Sequence, residues 1–363
     1  MGINVLSCFD GISCGQIALE RAGIQVDNYY ASEIDKYAIQ VTKNNYPNTT
    51  HLGSVVDVKG SDLPKIDVLI GGSPCQGFSF AGKGLNFQDP RSKLFFEFVR
   101  LLKEVKPKYF LLENVRMKKE YQDVISECLG VQPIMINSAL VSAQNRVRLY
   151  WTNIGQKPYG FFNEMVTDIP PPVDKEIFLK DIFDTNVPEK FYLSDKAIKY
   201  LNRAEMNQRF IQYETDDKSN CIVANYHKGV PYNAICVASR GRNPENPTSR
   251  VAGLETEQRL EARIDGNTNS LTSVQKDNLV IYQRARGYNK GAIFKDKSPS
   301  VTSNSWEHNN TLNIRRLTPV ECERLQTLPD NYTSAVSDTQ RYKAIGNGWT
   351  VDVVAHIFKH INL

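Results

Sequence analysis

The feature that most constrains this chain is a regular alternation of short apolar runs with helix-like segments over its first 155 residues. The runs "INVLSCF" (3–9), "NYYAS" (28–32), "IDVLIGG" (66–72), "KYFLLEN" (108–114) and "PIMINSAL" (133–140) have the length and content of buried strands. Between them, residues near 14–22, 35–45, 92–104 and 117–129 show helical spacing. This rhythm predicts a mostly parallel sheet covered on both faces, a doubly wound α/β domain. Ligands of such sheets bind beyond the carboxyl ends of the strands. The residues with useful chemistry fall there: Phe9 to Gly15, Glu33, Cys75 and Glu113.

The rhythm stops at "KPYGFFNEMVTDIPPPVDKE", whose proline triplet Pro170 to Pro172 reads as a linker. Beyond it come short β-like pieces rich in Asn, Ser, Thr and Arg. Three of them, "KSNCIVANYHKG" (218–229), "NTNSLTSVQKDN" (267–278) and "KSPSVTSNSWEH" (297–308), share a pattern. Each precedes a second apolar run that closes on paired arginines: Arg240/Arg242, Arg284/Arg286 and Arg315/Arg316. Residues 240–316 hold nine arginines and four lysines against eight acids, a local +5 in a chain of net +4. A polyanion-binding middle region fits that imbalance, as does an ordinary solvated surface. Helical patterns return at 317–329 and 351–361, the second expected to pack back on the first domain.

With 363 residues, two domains are expected: 1–160 together with 314–363, and 175–313. No apolar run approaches the roughly 18 residues of a membrane span. The N-terminus carries no basic leader, and Leu6 stands where myristoylation needs Ser or Thr. Seven cysteines without a C-x-x-C pair point to a reducing cytoplasm, with neither zinc nor a disulfide frame. His356 and His360 share a helix face but lack a third ligand, so no metal site is expected.

The turn "CFDGISCGQ" opens a helix after the first strand, with Gly11 and Gly15 allowing close backbone approach to a ligand. It lacks the dinucleotide spacing G-x-G-x-x-G, since Ser13 and Ala18 occupy glycine positions. Glu33, ending the second strand, can hold both ribose hydroxyls of an adenosine group. A nucleoside cofactor without a pyrophosphate, such as S-adenosylmethionine, fits better than a nicotinamide. In "GGSPCQGFSFAGKG", Cys75 sits between Pro74 and a glycine-rich loop able to act as a lid. A free thiol is only a few per cent thiolate at neutral pH but strongly nucleophilic. Beside it, Glu113 should emerge on the same sheet edge. A thiolate, a buried carboxyl and a methyl donor suit attack at C6 of cytosine, with the acid at N3 and methylation at C5.

With "SPCQGFS" and "ENV" the chain resembles the DNA (cytosine-5)-methyltransferases of bacteria and phages. Its first 155 residues are also similar to the catalytic domains of vertebrate de novo DNA methyltransferases ("SCFDGISCG", "LIGGSPC", "KLFFEFVRLL"). The resemblance implies a Rossmann-like S-adenosylmethionine-dependent domain plus a smaller, irregular, mostly-β target-recognition domain. It implies Cys75 as nucleophile, Glu113 at cytosine N3 and the exocyclic amine, and Arg146 and Arg148 of "QNRVR" orienting the base. Phe9, Asp10, Gly11, Gly15, Glu33 and Ile34 would line the cofactor site, completed by Asn347 and Trp349. Arg91 and the loop after Cys75 would close over double-stranded DNA, with Arg240, Arg242, Arg284 and Arg286 on the recognition surface. Tyr226, Tyr288 and Trp306 could fill the gap left by a flipped base.

The chain departs from the family pattern at two places. Ser13 replaces a glycine, and Ser54 stands where an aspartate usually receives the adenine amino group, with Asp57 three residues later. Either Ser54 or Asp57 could take that contact. The expected protein is a monomer acting in a bacterial or phage-infected cytoplasm, with a place in restriction-modification. An RNA cytosine-5 methyltransferase and a catalytically silent DNA-binding relative are the alternatives.

Overall fold

The structure is a computed structural model that describes residues 2–74, 90–161, 163–184, 187–191, 219–222, 224, 234–242, 257–262, 281–283, 292–294 and 314–362. The chain divides into two compact units. The first comprises Met1–Ile177, Cys221–His227 and Cys322–Leu363; the second comprises Phe178–Asn220 and Lys228–Glu321.

The first unit is built on a seven-stranded sheet. In chain order its elements begin β1 (Ile3–Cys8), α1 (Cys14–Arg21), β2 (Val26–Ser32), α2 (Lys36–Asn45), β3 (Thr50–His51) and β4 (Val68–Gly72). They continue α3 (Pro90–Val105), β5 (Tyr109–Val115), α4 (Lys119–Leu129), β6 (Ile134–Asn137), the two-residue β7 (Gln144–Asn145) and β8 (Val147–Thr152). The sheet order is β3-β2-β1-β4-β5-β8-β6. Strands β3 to β5 pair in parallel, and β8 runs antiparallel between β5 and β6. Four of the five β4 residues are buried, as a strand covered on both faces requires.

Helix α3 packs its Phe95, Phe98 and Leu101 into a core with Leu6, Leu69 and Trp151, all fully buried. Each such side chain contributes about 1.5–3 kcal/mol. Asp35 caps α2, accepting from Tyr37 N at 2.9 Å and Ala38 N at 3.4 Å. Gly130 ends α4 at φ +70°, a left-handed position suited to glycine.

The residues read as a linker begin instead as a ribbon of β9 (Gln156–Tyr159) and β10 (Glu164–Thr167). Gly160 and Asn163, both at positive φ, turn the chain between the strands.

The tail supplies α6 (Pro319–Leu325), α7 (Asp338–Asn347) and α8 (Val351–Phe358). Helix α8 packs against α1, as its apolar pattern predicted. The α6–α7 loop is fixed by Glu323, fully buried, which accepts from Asn331 N (2.7 Å), Thr333 N (2.9 Å) and Arg341 Nη2 (2.9 Å). From that loop, Tyr332 donates to Ile12 O at 2.7 Å, tying the tail to the turn after β1.

In the second unit the described elements are the short helix α5 (Leu179–Ile182) and strands β11 (Ser219–Asn220), β12 (Ala234–Arg242), β13 (Glu257–Ala262), β14 (Ile281–Gln283), β15 (Ala292–Phe294) and β16 (Ile314–Arg316). Strand β12 pairs antiparallel with β13 and with β16, and β14 pairs with β15.

Candidate active site

The carboxyl ends of β1, β2, β4 and β5 open into one cavity of about 410 Å³ in the first unit. Its lining includes Phe9, Gly11, Glu33, Ile34, Ser54, Glu113, Arg146, Arg148 and Asn347. These nine are all residues singled out from the sequence. Asp10, Gly15, Asp57 and Trp349 are not on the lining.

The turn after β1 explains part of this division. Phe9, Gly11 and Ser13 have φ of +57°, +60° and +56°, three left-handed residues within five. Ser13, in the glycine position, thus keeps a glycine-like backbone. Its hydroxyl donates to Asp10 Oδ2 and lies 3.1 Å from Thr42 Oγ1, contacts that hold a conformation serine rarely adopts. Asp10 faces inward, its Oδ1 accepting from Tyr29 Oη at 2.8 Å. Burial, reinforced by the Glu33 charge, pushes the Asp10 carboxyl up to about 6 against the hydrogen bonds of Ser13 and Tyr29. Gly15 is closely packed: a β-carbon there would come within 2.4 Å of Ile70 Cδ1 and 2.8 Å of Tyr29 Oη.

At the end of β2, Glu33 Oε2 accepts from Gly11 N at 2.8 Å, while Oε1 accepts from Ile34 N and Asp35 N at 2.7 and 2.8 Å. A carboxylate has about four acceptor positions, so one remains for a ligand hydroxyl. Beside it the Ile34 side chain is 77% exposed, an apolar surface left bare at the cavity lip. A fixed acceptor next to an open apolar face suits the ribose and the flat base of an adenosine group. Ser54 lines that region, whereas Asp57 donates its backbone N–H back to Ser54 O at 3.0 Å.

The other end of the cavity carries the charges. Glu113, nearly buried on β5, has Oε1 2.9 Å from Arg148 Nε on the neighbouring β8. The Nε–H is not aimed at that oxygen, so the contact is an ion pair rather than a directed hydrogen bond. Arg146, 4% exposed, donates to Gly348 O (2.9 Å), Ile222 O (3.0 Å) and Cys221 Sγ (3.0 Å), and reaches Gly346 O at 3.5 Å. It joins three distant stretches of chain at one guanidinium.

Sequence reasoning passed over Asn114, Lys343 and Cys221. Asn114 donates to Ser73 O (3.3 Å) and Oγ (3.1 Å), pinning the segment that leaves β4. Lys343 of α7 pairs with Asp35 at 2.6 Å beside the cavity. The only hints were their neighbours: Asn114 follows the glutamate of "ENV", and Cys221 lies in a repeat read for its arginines.

Cys75 lies outside the described residues, as do Arg284, Arg286, Tyr226, Tyr288 and Trp306. Ser73 and Pro74, just before Cys75, line the cavity. Arg91 falls in α3 and Arg240 and Arg242 on β12, but their side chains also lie outside the described residues. On the backbone, Arg240 stands opposite Arg259 and Arg242 opposite Glu257. His356 Nε2 lies 2.7 Å from Pro170 O, and its ring meets His360 edge-on. No metal-binding cluster occurs among the described residues.

A parallel sheet with this cavity at its carboxyl edge is the fold of S-adenosylmethionine-dependent methyltransferases. The chain aligns with the Entamoeba histolytica methyltransferase EhMeth at a TM-score of 0.65 and 18% identity, covering 99% of this chain and 98% of that one. A Spodoptera frugiperda DNMT2 mutant gives 0.62 and 20%, covering 99% of each. The chain belongs to the C-5 cytosine-specific DNA methylase family, whose model matches residues 3–363. Among its relatives, the orphan methyltransferase M.SPRI of Bacillus phage SPR is 29% identical, over 99% of this chain and 97% of its own length. The type II methyltransferase M.HpaII of Haemophilus parainfluenzae is also 29% identical, over 98% and 88%. The protein is thus a DNA cytosine-5 methyltransferase, and its family and fold imply use of S-adenosylmethionine.

Proposed function

We propose that the enzyme methylates C5 of a cytosine flipped out of a specific short sequence in double-stranded DNA. The observation that carries this reading is the Glu113–Arg148 pair, placed in one cavity with Glu33, with Glu113 beside Gly72 at the end of the strand that leads to Cys75. Extruding the base costs a few kcal/mol, because cytosine C6 is out of reach inside a duplex.

S-adenosylmethionine, when bound, supplies an electrophilic methyl group. Glu33, Phe9, Gly11, Ile34 and Asn347 would hold it, with Ser54 toward the adenine. Asp10, Gly15 and Trp349 support that site from behind. Cys75 adds through sulfur to C6 while Glu113 hydrogen-bonds N3 and the exocyclic amine, and Arg146 and Arg148 orient the base. The addition would make C5 nucleophilic toward the methyl group that the cofactor supplies. Loss of the C5 proton then expels the Cys75 sulfur and restores the ring.

Residues 1–160 with 314–363 form the catalytic part and 175–313 the target-recognition part. Arg91, Arg240, Arg242, Arg284 and Arg286 contact DNA, each good guanine pair adding about 1–3 kcal/mol of discrimination. The protein works as a monomer on DNA in the cytoplasm, in the restriction-modification setting of its type II relatives.

Labelled S-adenosylmethionine incubated with mixed-sequence duplex DNA and with tRNA, followed by base-resolution mapping, tests this. Label at one recurring DNA motif, lost in Cys75→Ser with DNA binding retained, is the expected result. Label on RNA alone overturns the choice of substrate, and full activity of Cys75→Ser overturns the mechanism.

A further inference from the structure

The segment Cys221–Ile222 reaches the first unit at a point that no sequence motif accounts for. Ile222 is fully buried, its N–H donating to Gln144 Oε1 at 3.1 Å and its carbonyl accepting from Arg146 Nη1 at 3.0 Å. These bonds seat the Cys221 sulfur between two guanidiniums. Arg146 Nη1 donates to Sγ at 3.0 Å and Arg148 Nη2 at 3.7 Å.

Arg148 shares that sulfur with Arg146. Its Nη1 donates to the carbonyl of its own neighbour Val147, at 2.9 Å. Its Nε faces Glu113 without a directed hydrogen bond. Beyond its own strand the guanidinium thus meets two groups, the Glu113 carboxylate as an ion pair and the Cys221 sulfur as a hydrogen-bond acceptor. An arginine side chain has many rotamers, so without the sulfur the far end of the fork would sample several orientations beside the carboxylate.

We propose that Cys221 is a positioning residue for methyl transfer: its sulfur sets the spacing of Arg146 and Arg148 and, through Arg148, the placement of the Glu113 carboxylate. Two neighbouring cations repel, and an electron-rich sulfur between them offsets that repulsion. Burial pushes the Cys221 thiol up, but the two guanidiniums outweigh it and hold the thiol below its ordinary range. When the thiol proton is present it points to Ile222 O, 3.5 Å away, leaving the sulfur lone pairs to the arginines. Cys221 touches neither base nor methyl group in this scheme and forms no covalent bond.

The inference rests on the reading of Glu113 and Arg148 as the groups that meet the base, so its test includes Glu113→Gln as a control. Methyl transfer to duplex DNA would be measured for Cys221→Ala, Cys221→Val and Cys221→Ser, with kcat and the KM for DNA obtained separately. Alanine and valine should lower kcat about tenfold, with KM within about twofold, because an acceptor to a charged donor is lost without loss of binding surface. Serine keeps an acceptor and should recover to within about threefold of wild type. Valine fills the space that alanine leaves empty, so it carries the comparison if alanine fails to fold. Unchanged kcat in alanine and valine overturns the proposal, and so does a serine variant as impaired as alanine. Full turnover in Glu113→Gln overturns the reading of the base-contacting groups, and the inference with it.

Discussion

A β-carbon on Gly72 would stand 2.9 Å from Trp349 Nε1 and 3.2 Å from Glu113 Oε2. The indole brought in by the segment before α8 occupies the space that the missing side chain leaves at the end of β4. Gly72→Ala should therefore displace Trp349 or Glu113, costing about 1–3 kcal/mol of stability. Methyl transfer should fall by at least about tenfold, since Gly72 and Glu113 both line the cavity. Thermal unfolding together with steady-state kinetics checks this; a fully active variant would show that the indole has room to move.

Asp10 makes stability depend on pH in an unusual direction for a carboxylate. Its folded pKa of about 6 lies above the ordinary value of 3.8, so the folded state binds the extra proton between those limits. Stability from this group is present below about pH 4 and lost as pH rises through 6. Asp10→Asn cannot titrate. The stability of the wild type relative to this variant should fall by up to about 2 kcal/mol from pH 4 to 7, some solvent contact reducing the full effect. Urea unfolding of both proteins across that range measures the difference.

Removing Arg146 should damage the fold as well as the reaction. Its guanidinium is buried, and Arg146→Ala removes the shortest donor from two carbonyls, leaving Ile222 O the Cys221 thiol at 3.5 Å and Gly348 O the Gln326 amide at 3.3 Å. A weakened pair of buried hydrogen bonds should cost about 1–3 kcal/mol in denaturant unfolding. Arg146→Lys, with one compact donor group in place of a fork, should recover only part of it.

Glu33→Gln tests the cofactor end. The carboxylate faces backbone N–H donors on both oxygens, so an amide must turn its own NH₂ toward one of them. Affinity for S-adenosylmethionine, measured by calorimetry, should drop about tenfold or more. An unchanged affinity would move the ribose away from Glu33.

The sheet was legible because its strands are buried on both faces and separated by well-patterned helices. All five strands and four helices expected before residue 141 are present. What escaped notice was β8, whose "VRLYWT" follows directly on the arginine motif and inserts antiparallel between β5 and β6. Helix α7 escaped for another reason: of "DTQRYKAIGN", only Tyr342, Ile345 and Gly346 are buried, so it has almost no apolar stripe to read. In the site, the sequence brought out residues that carry charge or chemistry. It could not distinguish those whose side chains meet a ligand from those that hold the backbone. Asp10 and Gly15 sit in the same motif as Phe9 and Gly11, yet only the latter pair lines the cavity. Nor could it reveal Cys221, whose meaning depends on two arginines more than 70 residues away.

Arg146 finds its carbonyl at Gly348, 202 residues further along the chain. A polypeptide growing on the ribosome lays down its sheet early but cannot close this contact until every intervening residue has been made. Until then Arg146 lacks its acceptors at Gly346 and Gly348, and the cavity lacks the lining residues between 340 and 347. Synthesis thus imposes its own order on the molecule: whatever the nascent chain meets, it meets without a complete active site.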